Sequence, residues 1–387
     1  MAETVAGEGF TLTWSGEAVD VNRIESELTR LRYGAAGTPA GHESFAIRTN
    51  LLNLVVYTAS EEAAAQASQT IAGLRGHHPS RALILVANPS EEAPQINARL
   101  AAHCHAGSAL EQQVCCEEVI LSVKGRAASH LHSIVIPLLI PDLPVYVWWT
   151  GPLPKGRHLF EEMMETADRF IVDSGRFRHP THGLARIAKL CTESPDCAIG
   201  DMNWSRLAPW RELFERHSGT PDMLQHLGRV DRVEVRYAQG GEGGAPSGQV
   251  FLLLAWLALR FGWITESREL AGPNQLVLNA GNRAVSVELT AAQHAHAEPG
   301  SVLSLRLLSA SEDAPASILI HRSADPNHVQ IEVQNPDYQL NESVLIDPPE
   351  TGDILARELD DLPGRHTDYE QVLELALPLV QALHIPD

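Results

Sequence analysis

The feature that most constrains this chain is a series of short apolar runs, each followed by a stretch with helical spacing. Leu51-Leu-Asn-Leu-Val-Val-Tyr57, Arg81-Ala-Leu-Ile-Leu-Val86, Pro144-Val-Tyr-Val-Trp-Trp149 and Arg169-Phe-Ile-Val-Asp173 are rich in β-branched and aromatic residues and lack polar alternation. A strand apolar at successive positions is buried on both faces, which requires a sheet with helices packed on each side. Residues 61–74 and 159–167 supply such helices, and an amphipathic stripe at Val21, Ile24, Leu28 and Leu31 writes another before the first strand. The same alternation predicts a helix near 94–103, a strand in 114–123 and a helix in 127–139. Residues 1–227 therefore read as an α/β domain with an N-terminal helix, built on a mostly parallel, Rossmann-like sheet with flanking helices.

The pattern changes after Leu227. Strands are expected at 230–237, 275–279, 284–289, 302–308, 316–321 and 328–333, with Ala280-Gly281 as a two-residue hairpin. The glycine-rich loop 240–248 leads into an apolar helix at 250–261, and Thr367-Asp-Tyr-Glu370 has the spacing of a capping box opening a C-terminal helix. Residues 228–387 read as a smaller α+β antiparallel domain.

Charge narrows the partners. A net charge of −20, from 49 acidic residues against 29 lysines and arginines, disfavours a phosphate backbone or an anionic lipid surface, so neither nucleic acid nor membrane is expected. The apolar segment 133–149 contains three prolines and Asp142 and falls short of the ~20 residues of a span, and 250–264 carries Arg260. The first ten residues have no basic leader, and a cytoplasmic protein is expected.

The turns after the strands decide whether chemistry is written here. Neither G-x-G-x-x-G after a strand nor G-x-x-x-x-G-K-[ST] occurs, and Thr58–Glu62 and Asn88–Glu92 put carboxylates where a phosphate needs bare amides. No nucleophile elbow and no H-E-x-x-H is present, so no catalytic centre and no cofactor is expected. His77-His-Pro-Ser-Arg81 precedes a strand, on the wrong side of a parallel sheet for a ligand, and reads as a structural loop. His103-Cys-His105 with Cys115-Cys116 matches no zinc spacing, and five cysteines (Cys104, Cys115, Cys116, Cys191 and Cys197) do not describe a disulfide framework. Cys191 and Cys197 bracket a turn that can bring them together, and they are the candidates for a redox switch.

Binding candidates remain. Lys155 and Arg157 follow one strand, and Arg176 and Arg178 follow the next, giving a basic rim suited to an anion or an acidic partner. Trp148 and Trp149 point to opposite faces of their strand, as core or as partner anchors. Trp204 and Arg206 precede a helix with Pro209 in its first turn, and tryptophan and arginine are the residue types of interface hot spots.

Several longer segments resemble the OpcA-type glucose-6-phosphate dehydrogenase assembly proteins. They are His78-Pro-Ser-Arg81, Val135-Ile-Pro-Leu-Leu-Ile-Pro-Asp-Leu-Pro-Val-Tyr-Val-Trp-Trp149, Arg169-Phe-Ile-Val-Asp-Ser174, Asp201-Met-Asn-Trp-Ser-Arg-Leu-Ala-Pro-Trp-Arg211 and Leu254-Ala-Trp-Leu-Ala258. Their order and spacing match over most of the chain. The resemblance implies a non-enzymatic assembly factor and allosteric activator that binds glucose-6-phosphate dehydrogenase, favours its active oligomer and supports the oxidative pentose phosphate pathway. The alternative from the residues is a sugar-phosphate or nucleotide-binding α/β protein using the basic rim.

Overall fold

A computed structural model describes residues 9–36, 47–48, 50–88, 93–106, 113–151, 153, 158–177, 179–194, 196–219, 223, 226–240, 246–265, 274–309, 315–323, 325, 327–346, 350–361 and 368–382. The chain folds into two compact units that interleave in sequence. Unit 1 takes residues 1–172, 194–200 and 351–365, and unit 2 takes 173–193, 201–350 and 366–387. The boundary expected near Leu227 lies within unit 2.

Unit 1 holds a nine-stranded sheet made of β1 (Gly9–Gly16), β2 (Ile47–Arg48), β3 (Leu52–Thr58), β4 (Ser80–Asn88), β5 (Gln95–Ala106), β6 (Gln113–Lys124), β7 (Val145–Trp149), β8 (Arg169–Val172) and β9 (Ala198–Asp201). The order is β1-β5-β6-β4-β3-β7-β8-β9, with β2 beside β6. The central pairs β6–β4, β4–β3, β3–β7 and β7–β8 are parallel, as the apolar runs require. All five residues of β7 and eight of the nine in β4 are buried. Helices α1 (Val21–Ala36) and α2 (Glu61–Leu74) belong to this unit; Ser60 caps α2 by accepting the N–H of Ala63.

One expected helix is a strand. The segment near 94–103 is β5, paired antiparallel with β6 from Gln95↔Lys124 to Ala106↔Gln113, and with β1 on its other edge. Its alanines favour a helix locally, but each flanking strand takes alternate backbone groups and the two together satisfy them over residues 98–105, so tertiary pairing overrides propensity. The expected helix at 127–139 is a broken series of short turns: 3₁₀ over Gly125–His130, α3 (Leu131–Val135), then 3₁₀ over Ile136–Leu138. Helices α4 (His158–Thr166), α5 (Pro180–Glu193), α6 (Met202–Arg206) and α7 (Ala208–Ser218) follow in the chain.

Unit 2 carries a seven-stranded sheet of β10 (Arg232–Ala238), β11 (Gln275–Asn279), β12 (Ala284–Ala292), β13 (Val302–Ser309), β14 (Ala316–Arg322), β15 (His328–Gln334) and β16 (Gln339–Leu345), in the order β11-β12-β10-β13-β14-β15-β16. Every pair is antiparallel except β10–β12. The β11–β12 turn spans Ala280–Arg283, because the last paired residues are Asn279 and Ala284 and Ala280 N–H bonds the Arg283 carbonyl at 2.9 Å. Here the expected two-residue hairpin is a four-residue turn.

The apolar helix is α8 (Gly248–Phe261), buried along eleven successive residues and ended by Gly262 at φ +65°, a left-handed stop that glycine adopts without strain. Helix α9 (Thr351–Asp360) lies in unit 1, and α10 (Asp368–Ala382) packs on α8 and α5 in unit 2. Thr367, the expected cap of α10, lies outside the described residues. No helix among the described residues is long and apolar enough to cross a membrane.

Candidate functional site

Asp201 and Asp173 organise the part of unit 2 where the sequence placed Trp204 and Arg206. Asp201 caps α6: its Oδ1 accepts the backbone N–H groups of Asn203 and Ser174, each at 2.9 Å, and its Oδ2 accepts the Tyr369 hydroxyl at 2.9 Å. Burial pushes this carboxyl up to about 6, partly opposed by the hydrogen bonds from Ser174. Asn203 extends the network, donating to Ser174 Oγ at 3.1 Å and accepting from Gln249 Nε2 at 3.3 Å. Gln249 Oε1 in turn accepts the N–H of Val302 at 2.8 Å, tying α6 to α8 and β13.

Asp173 receives two arginines. Arg206 meets it in a bidentate fork, at 2.5 Å to Oδ1 and 2.8 Å to Oδ2, while Arg176 Nε lies 3.2 Å from Oδ2. Burial works against the Arg206 charge, but the bond and attraction of Asp173 outweigh it, and the pKa of the guanidinium is raised. Trp204 is half-buried, with the Arg211 guanidinium 3.3 Å above its ring and Tyr369 at 6.0 Å. The sequence candidates Trp204, Arg206 and Arg176 thus gather around one joint. Arg206 and Trp204 are engaged by the unit's own residues, and Arg176 remains mostly exposed beside its carboxylate. Lys155, Arg157 and Arg178 lie outside the described residues, so of the four rim cations only Arg176 is placed.

Trp148 and Trp149 sit in the core of unit 1. The Trp149 ring stacks on Tyr57 at 3.8 Å and 6°, meets Phe160 edge-on at 5.2 Å and lies 6.1 Å from Phe170; Trp148 is buried on the other face. Cys191 is half-buried in unit 2 and Cys197 is buried in unit 1, neither of them in a disulfide. Burial, with Asp168 nearby, pushes Cys197 up to about 12, which makes it a poor nucleophile at neutral pH.

The disulfide that exists was not legible in the sequence. Cys104 and Cys115 face each other across β5 and β6 and are joined, eleven residues apart. Reading 94–103 as a helix hides this pairing; two cysteines flanking an antiparallel turn would have been the signal. Among the described residues no group of three or more His, Cys, Asp and Glu can hold a metal ion. His103 instead bonds Thr11 across the β1–β5 pair at 3.0 Å.

Two further charged centres were also missed in unit 1. Arg81 Nε bonds Glu117 at 2.6 Å, and its Nη1 reaches the Leu138 carbonyl at 2.7 Å and Glu25 at 2.9 Å. Arg169 Nη2 bonds Glu358 at 2.7 Å and Asp361 at 3.0 Å, and a side chain at Gly200 would collide with that pair. Both arginines open a buried parallel strand, so a lone arginine just before an apolar run is the signal to look for.

Residues 71–189 match the family described as the glucose-6-phosphate dehydrogenase subunit N-terminal domain, and residues 197–373 match the corresponding C-terminal domain. Similar curated proteins include a candidate OxPP cycle protein OpcA of Synechocystis sp. (strain ATCC 27184 / PCC 6803 / Kazusa), 26% identical over 315 residues that cover 77% of this chain and 63% of that protein. Its counterpart in Synechococcus elongatus (strain ATCC 33912 / PCC 7942 / FACHB-805) is 30% identical over 235 residues, 58% of this chain and 51% of that one. The chain therefore spans between about half and two thirds of the length of these relatives. Among solved structures, KijD10, a 3-ketoreductase from Actinomadura kijaniata, aligns over 86% of this chain and 97% of its own, with a TM-score of 0.46 and 14% identity. A likeness that distant assigns this chain neither a ligand nor a reaction.

Proposed function

Because the chain belongs to the family of OpcA-type glucose-6-phosphate dehydrogenase subunits, we propose that it is a non-catalytic partner that binds this dehydrogenase and favours its active oligomer. The observation that carries the reading is the pair of adjoining family matches, which together take in most of the chain. In keeping with it, the buried carboxylates and arginines of both units are committed to one another, as befits a scaffold whose work is done at its surface. The setting of such a partner is the cytoplasm, where the oxidative pentose phosphate pathway runs.

The mechanism is a population shift. By binding the assembled, active form of the dehydrogenase more tightly than the inactive form, the protein raises the fraction assembled. A coupling of roughly 1–3 kcal/mol changes apparent substrate affinity by roughly 5–150-fold. The test mixes the purified protein with the dehydrogenase of its own host and follows mass by light scattering together with the rate of NADPH formation. A complex with altered kinetics is expected. Two separate species with unchanged kinetics, or turnover of glucose 6-phosphate by the isolated protein, would refute the reading.

A further inference from the structure

The two edges of the second sheet differ. At one, β11 gains a bridge from Ile264 to Asn279; at the other, β16 closes the strand order with no further partner among the described residues. The turn before β16 is closed by reciprocal bonds, Asn335 N–H to the Tyr338 carbonyl at 2.9 Å and Tyr338 N–H to the Asn335 carbonyl at 3.4 Å. Past its far end, Ile346 N–H reaches the Asn327 carbonyl at 2.7 Å. Alternation between these fixed points turns the N–H and C=O groups of Leu340, Glu342 and Val344 toward β15, and those of Gln339, Asn341, Ser343 and Leu345 away from it. On that free side none of these four residues has a backbone bond among the described residues.

Edge strands are commonly blunted by lysine, proline, a bulge or an inward-pointing charge. β16 is seven residues long, has no proline or basic residue and pairs with β15 without a bulge. Its one charge, Glu342, lies opposite buried Ile331 and so points inward, where His217 Nε2 is 3.7 Å away. The apolar layer is also unfinished at this edge. Val329, Ile331 and Val333 of β15 are buried, whereas Val344 and Leu340, facing Val329 and Val333 on β16, are half-buried and Tyr338 is 51% exposed.

We propose that two copies of this chain pair β16 against β16, antiparallel about a twofold axis at Asn341, so that their second sheets become one. A strand edge is completed by another strand, and an antiparallel edge is complementary to itself, which makes the contact isologous. In this register Asn341 faces the partner's Asn341, Gln339 faces the partner's Ser343, and about six N–H···O bonds form from groups that otherwise meet only water. On the inner face Tyr338 covers the partner's Val344 at each end, an aromatic on a β-branched residue, and Leu340 lies beside the partner's Glu342. Glu342 selects the register: a twofold axis at residue 342 would set two carboxylates face to face at the close spacing of a non-hydrogen-bonded pair. An axis at Ser343 would leave Tyr338 past the end of the partner's strand. The inference stands apart from the dehydrogenase reading, since it concerns the chain without any other protein.

Sedimentation equilibrium on the isolated full chain tests it. An edge-to-edge strand pair covers less than the ~1,600 Å² of a standard interface, so a monomer–dimer equilibrium with a Kd of roughly 1–100 μM is expected. Added salt is expected to tighten it, because each copy carries a net charge of −20 and the contact holds no ion pair. Ser343→Pro removes an N–H that points off the sheet and leaves the β15 ladder intact; it is expected to weaken the dimer by roughly tenfold or more at unchanged circular dichroism, while Ser343→Thr leaves it unaltered. Facing Cα atoms of a hydrogen-bonded pair lie about 5.5 Å apart, within disulfide reach, so Asn341→Cys oxidised by air with copper phenanthroline should give a covalent dimer beyond anything the unaltered chain gives. A chain that stays monomeric at roughly 300 μM, a dimer that salt dissolves, Ser343→Pro dimerising as tightly as the unaltered chain, or no covalent dimer from Asn341→Cys overturns the proposal.

Discussion

Replacing Arg81 with methionine isolates one buried electrostatic commitment of unit 1. Arg81 is 2% exposed and its partner Glu117 has no exposed side-chain surface, so neither has water to fall back on. The Nε–Oε2 contact is 2.6 Å, and Nη1 also serves the Leu138 carbonyl at 2.7 Å. With the guanidinium gone, a carboxylate is left inside the protein beside Asn50, a distant donor at 3.4 Å, and the Leu138 carbonyl loses a bond. Breaking a buried pair from one side costs about 3–5 kcal/mol. For a domain of this size each kcal/mol is worth about 2–4 °C, so Tm should drop by roughly 6–20 °C. Removing both charges is different. Arg81→Met with Glu117→Leu leaves no buried ion behind, since Glu25, the other partner of Arg81, is 40% exposed and can turn to water, and it should recover most of the loss. Urea unfolding followed by far-UV circular dichroism measures both variants. A single variant that loses less than about 1 kcal/mol, or a double variant as unstable as the single, would refute the argument that the orphaned charge sets the cost.

Three more outcomes follow from buried groups. Trp149→Ala, which empties the space between Tyr57, Phe160 and Phe170, should cost about 3–5 kcal/mol by thermal denaturation, and Trp149→Phe should cost clearly less. Asp201 is an acid whose folded pKa, about 6, lies above its unfolded value, so the folded state holds the proton more tightly; its contribution to stability is full below pH ~4, falls by something on the order of 3 kcal/mol as pH rises to ~6, and is flat above. Asp201→Asn should remove that slope from a pH series of unfolding midpoints, and a slope that persists unchanged would assign it to another group. Under native alkylation at pH 8, Cys191 should be modified well before Cys197 and Cys116, whose thiols are buried and raised, as read by mass spectrometry of digested protein. Cys197 reacting first would contradict the burial.

The elements were largely written in the sequence, because burial on two faces and helical periodicity are local signals. β3, β4, β7 and β8 fall where the apolar runs put them, and α8 is the helix its composition announces. β5 was not, since alanine-rich segments favour a helix until a neighbouring strand claims their backbone. β16 was not either; its side chains alternate between exposed and half-buried, and so little apolar surface leaves no run to notice.

The residues that belong together at a site were the less legible part. The arginines opening two strands were visible as residues, but their partners were not: Arg81 finds Glu117 36 positions away, and Arg169 finds Glu358 189 positions away. On the outward face of the second sheet Glu234 meets Arg306, 72 positions away, and only the pairing register of β10 with β13 sets these two charges side by side. Sequence by itself determined most of the strands, most helices and the absence of familiar phosphate-binding and catalytic motifs, all properties of residues a few positions apart. Tertiary structure alone decided which charges are neutralised and which stay exposed, because electrostatic energy depends on distance and burial, and neither is set until the strands have paired.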